Sequence, residues 1–153
     1  MPTSEIKTRV ENAVKDAMRA RDKQRLGALR LTMAEIKRVE VDERIELDDA
    51  RVLAVFDKMV KQRKESLAQY EQAGRADLAE QEQFELDLLR EFMPEALDES
   101  AIVALIDAAL RETGASSVKE MGQVMAALRP KVQGRADMAQ VSALVKARLA
   151  AGH

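Results

Sequence analysis

The sequence contains no cysteine and no tryptophan, and its single histidine, His153, is the last of 153 residues. Without cysteine there can be no disulfide, thiolate metal site or cysteine nucleophile, a composition suited to a reducing compartment. Chain ends are usually unordered, so a terminal histidine leaves no His-based triad, no zinc site of the usual kind and no near-neutral general base. Aromatic residues are limited to Phe56, Tyr70, Phe84 and Phe92. Neither a Gly-x-Gly-x-x-Gly fingerprint nor a phosphate-loop motif occurs. No apolar run approaches the roughly 20 residues that span a bilayer, and the N-terminus lacks the apolar stretch of a secretory signal. The expectation is a cytoplasmic protein with no membrane association, no metal and no cofactor.

Charge is plentiful and nearly balanced, with 25 basic and 27 acidic residues for a net of −2. That balance excludes a bulk polycation, but the two signs are segregated. Residues 71 to 95 carry 8 acids and 2 bases, whereas residues 113 to 153 carry 2 acids and 6 bases. The middle of the chain is acidic and its end basic.

Apolar residues recur at spacings of three and four throughout, and strand-type alternation is nowhere sustained. An all-α protein follows: a helical N-terminal domain of about four helices over 1–94, then a small three-helix bundle over 95–153. The first helix runs from about Ser4 to Ala20 with Ile6, Val10, Ala13, Val14 and Ala17 on one face. Asp22 caps a second, to about Glu40, whose stripe is Leu26, Leu29, Met33 and Ile36. A polar connection, Val41 to Leu47, leads to Asp48 as the next cap. The third helix, to about Ala73, has a seam of Val52, Phe56, Met59, Arg63, Leu67 and Tyr70, and Gly74 stops it. Asp77, with Glu80 at capping-box spacing, opens a fourth that ends at Met93 and Pro94. Three shorter helices follow, near Glu99–Glu112, Val118–Arg129 and Met138–Leu149. Gly74-Arg75-Ala76-Asp77 and Gly134-Arg135-Ala136-Asp137 read as one helix joint used twice. Gly122, in mid-helix, suggests close helix packing.

Two basic constellations are candidates for anion binding. Lys61, Arg63 and Lys64 lie on the third helix, with Arg63 on its apolar seam, where it must snorkel, pair or face a partner. A structural ion pair with the acidic fourth helix is the favoured role there. Arg129, Lys131 and Arg135 fall in what reads as a loop before the last helix, joined by Lys119, Lys146 and Arg148. With no Phe, Tyr or Trp after Phe92, RNA bound here is held by phosphate and shape rather than by stacking. Ser116 lies three residues before Lys119, the spacing of some serine/lysine nucleophile sites, but Ser117 with Glu120 makes a capping box, and capping is the better account of this segment.

Several segments together resemble the YqeY-like family: Leu29-Arg30-Leu31 through Ile36-Lys37, Lys61-Gln62-Arg63 with Glu65-Ser66, Phe92-Met93-Pro94, Met121-Gly122-Gln123-Val124-Met125, Pro130-Lys131-Val132 and Gly134-Arg135-Ala136-Asp137. The last part also resembles the tail domain of GatB, a subunit of the tRNA-dependent amidotransferase. The resemblance implies a two-domain helical fold and a non-catalytic module that binds tRNA or accompanies translation or amidotransferase proteins. The carbon–nitrogen ligase activity attached to the family, with glutamine as amido donor, is implied only through GatB, whose catalytic domain has no counterpart here. A protein-interaction adaptor is the remaining alternative.

Overall fold

In the computed structural model, which describes residues 4–152, seven α-helices and one 3-10 turn account for the regular structure, and no strand occurs among the described residues. The lack of order expected at His153 concerns a residue outside those described. Two compact units form, Met1–Met93 and Pro94–His153.

The first unit contains α1 (Glu5–Ala20), α2 (Lys23–Glu43), α3 (Asp49–Gln72) and α4 (Ala76–Glu91). Short polar side chains start three of them: Ser4, Asp22 and Asp48 accept from the amides of Lys7, Arg25 and Arg51. Such caps satisfy amides that have no partner within the helix. Asp49 joins two of these starts, because its carboxylate accepts from both the Ser4 hydroxyl and the Ile6 amide. The core is built from Val10, Leu29, Ile36, Leu47, Val52, Phe56, Met59, Leu88, Leu89 and Phe92. Each fully buried side chain of this size contributes about 1.5–3 kcal/mol.

Helix α2 outlasts its expected end at Glu40 by three residues, stopping where Arg44 turns left-handed at φ 57°. Glu40 thereby stays helical, and its carboxylate reaches both Lys7 Nζ (2.9 Å) and the Leu47 amide (3.0 Å). The connection is pinned so that Leu47 enters the core. Helix α3, about 36 Å long at 1.5 Å per residue, contributes to the core through its first half only; Leu67 and Tyr70 lie outside that cluster. Its second half packs on α4 as a hairpin.

The second unit contains α5 (Glu99–Thr113), the 3-10 turn Val118–Glu120, α6 (Met121–Val132) and α7 (Met138–Ala150). Ile102, Ile106 and Ala109 meet Val124, Leu128 and Val132 of α6 and Val141, Val145 and Leu149 of α7. The repeat of three and four puts each set on one helical face.

Three local expectations are corrected. Residues 129–132 are not a loop: α6 continues through Pro130, because Val132 completes its buried face at 0% exposure. Gly122 is not a packing glycine, since a Cβ there would meet nothing within 4 Å. The paired Gly-Arg-Ala-Asp segments are not one joint used twice. In the first, Gly74 sits at φ 70° and Arg75 donates to the Tyr70 carbonyl, closing α3. The Arg75 carbonyl then accepts from Ala79, so α4 starts at Ala76 with Asp77 in its first turn rather than at the cap. In the second, the Arg135 carbonyl is already taken by the Leu97 amide at 2.8 Å, and the helix waits for Asp137, which caps it.

Candidate nucleic-acid interface

The basic side chains of the second unit divide by what they touch. Arg148 is ion-paired with Asp107 of α5. Arg135 is half-buried and donates through Nε to the Glu95 carbonyl at 3.0 Å. Together with the bond from Leu97 to its own carbonyl, this stitches the segment ahead of α5 to the α6–α7 connection. Lys131 lies on the last turn of α6, with Nζ 3.8 Å from Glu112, a loose exposed pair. Lys119 (3-10 turn), Arg129 (last turn of α6) and Lys146 (α7) are exposed and pair with no carboxylate among the described residues. The turn that carries Lys119 packs against both α6 and α7.

Its conformation is fixed by Glu120, whose carboxylate accepts from the Ser116 amide at 3.0 Å and lies 3.4 Å from the Ser117 hydroxyl. The Ser116 amide is the main reason the Glu120 carboxyl falls below the usual glutamate range. Ser117 makes no return bond to the helix, so only the glutamate half of the expected capping box forms. Between Lys119 and Arg129 the exposed residues of α6 include Gly122, Gln123 and Ala126. They are small or uncharged, and they leave both cations open to a polyanion. The spacing 122, 126, 129 carries that signal in the sequence, since all three positions fall inside the helix expected near Val118–Arg129.

On α3, Lys61 and Lys64 are exposed, whereas Arg63 is turned to α4. Its Nη1 is 3.5 Å from Glu82 and its Nε 3.1 Å from Glu85, with side-chain exposures of 24%, 13% and 11%. The Nε contact lacks hydrogen-bond geometry and is held by charge alone. Among the described residues no group of three His, Cys, Asp or Glu side chains is placed to hold a metal ion, and no helix is long and apolar enough to cross a membrane.

The family model described as Yqey-like protein matches residues 7–149. The chain belongs to the Yqey-like family. Among fungal relatives of this Yqey-like chain, the protein named altered inheritance of mitochondria protein 41, mitochondrial, of Pyrenophora tritici-repentis is 30% identical over 88% of this chain and 75% of its own length. The protein of the same name in Eremothecium gossypii is 35% identical over 65% of this chain and 56% of its own. An uncharacterized protein of Schizosaccharomyces pombe is 35% identical over 52% of this chain and 65% of its own. The matches thus span roughly half to three quarters of those proteins.

The two mitochondrial names correct the expected cytoplasmic location, because they place those two relatives of this Yqey-like chain in mitochondria. The lack of an apolar signal core did not bear on that question. Mitochondrial import reads amphipathic, arginine-rich leaders instead.

Proposed function

We propose that the second unit is an RNA-binding module whose ligand is tRNA, held at its phosphates by Lys119, Arg129 and Lys146. The observation that carries this reading is the division of labour among the basic residues. Arg135 and Arg148 are consumed by the fold, and Lys131 is loosely paired, while these three remain exposed without a carboxylate. An exposed cation contributes little to folding, and a set of them on one small bundle is suited to displacing counterions from a polyanion. The tRNA-contacting tail domain of GatB, which this unit resembles, supports tRNA over other polyanions. The absence of Phe, Tyr and Trp after Phe92 makes the recognition one of backbone and shape.

Filter binding of bulk tRNA at low salt tests this. The wild-type chain retains tRNA, and Lys119→Ala/Arg129→Ala/Lys146→Ala loses most of that retention with unchanged far-ultraviolet circular dichroism. Equal retention by both, or none by the wild type, refutes the proposal. Arg135 is unsuited to this test, since its loss also removes a bond inside the bundle.

A further inference from the structure

The distal half of the α3–α4 hairpin carries an open groove of about 430 Å³ that no part of the account above uses. Its apolar lining comes from Leu67 on α3 and Ala76 and Ala79 on α4, and the exposed Glu71 and Glu80 line it as well. The two carboxylates differ from their neighbours. Asp77 is held by Arg75, Glu82 and Glu85 by Arg63, and Glu91 by Arg25. Asp87 accepts from Gln83. Glu71 and Glu80 are exposed and make no ion pair among the described residues.

A hairpin of two helices leaves a hollow that a third helix fills in a bundle, and here the core of the unit stops short of it. We infer that this groove docks a basic amphipathic helix of another protein, with a leucine-sized side chain on Leu67 and Ala79 and flanking Lys or Arg on Glu71 and Glu80. The sign of the charge decides the class of partner. Glu71 and Glu80 line the groove with no ion-paired cation among the described residues, which disfavours an anionic ligand there and attracts a cationic helix. Apolar anchors at helical spacing supply affinity, and the carboxylates fix register.

The probe is a synthetic helical peptide with leucines on one face and Lys and Arg beside them, labelled for fluorescence anisotropy against the full chain at low salt. The wild type binds it. Glu71→Lys/Glu80→Lys weakens binding about tenfold, whereas reversing two exposed acids elsewhere, Glu11→Lys/Glu46→Lys, leaves it unchanged. A peptide with its leucines replaced by serine does not bind. Glu71→Gln/Glu80→Gln gives a smaller loss in the same direction and keeps the test valid if the reversed pair disturbs the helical circular dichroism. Equal weakening by both reversals would mean diffuse charge and overturn the inference. So would a chain dimer abolished by the groove reversal, which would give the groove to a second copy.

Discussion

Arg135 donates through Nε to the Glu95 carbonyl, 3.0 Å away, while its own carbonyl accepts from the amide of Leu97. A residue that reads as an exposed phosphate ligand is thus a clasp between two connections of the bundle. Arg135→Ala removes the side-chain half of the clasp, about 1 kcal/mol. For a unit of this size that lowers the midpoint by several degrees, roughly 4–8 °C per kcal/mol. Lys119→Ala and Lys146→Ala, which break no contact, stay within about 0.5 kcal/mol of wild type. Thermal melts of the three variants separate the two roles.

Arg63 has a structural part on α3. Arg63→Met leaves Glu82 and Glu85, both mostly shielded, facing each other without a cation. The expected loss is about 1–3 kcal/mol, below the cost of breaking a fully buried pair because Arg63 itself is partly solvated. Adding Glu85→Gln to the Met variant restores part of it. Urea denaturation of the single and double variants measures the coupling.

Glu40 makes the first unit sensitive to acid. Burial pushes its carboxyl up, but the Leu47 amide and the Lys7 ammonium outweigh burial and hold it below the ordinary value of 4.5. A group lowered on folding stabilises fully above its unfolded value and loses that contribution as pH falls through its folded one. Stability therefore drops on acidification below about pH 4.5, and Glu40→Gln flattens the drop while lowering stability at neutral pH. Stability measured from pH 6 to 3 for both chains gives the comparison.

The helices were legible because their signals are local. Asp22, Asp48 and Asp137 cap where short side chains ahead of apolar stripes should, and the 102/106/109, 124/128 and 141/145 spacings mark the faces that are buried. Asp77 misled because its role depends on a carbonyl two residues earlier: the one at Arg75 was free for Ala79, the one at Arg135 was not. Pro130 misled because burial of Val132 outweighs one lost amide near a helix end. In the candidate site, the partnership of Arg63 with the acidic helix could be foreseen from nearby charge. That of Arg148 with Asp107, 41 residues away, and that of Arg135 with a main-chain oxygen 40 residues away could not.

Gly122 lies exposed in the first turn of α6 with open space where a Cβ would go. Gly122→Ala should stabilise the second unit by about 0.5 kcal/mol, since it restricts the unfolded chain without a clash. A raised thermal midpoint checks this, and a lowered one would indicate a contact absent from the fold.

The central claim is that Lys119, Arg129 and Lys146 hold phosphates, and the salt dependence of tRNA affinity tests it most directly. Three neutralised phosphates give a slope of log affinity against log salt of about −2.1 to −2.7, or about a 20- to 40-fold loss between 50 and 200 mM. The account predicts that slope for the wild type and one near zero for the triple alanine variant. A wild-type slope near zero, or the same slope in both chains, would contradict it.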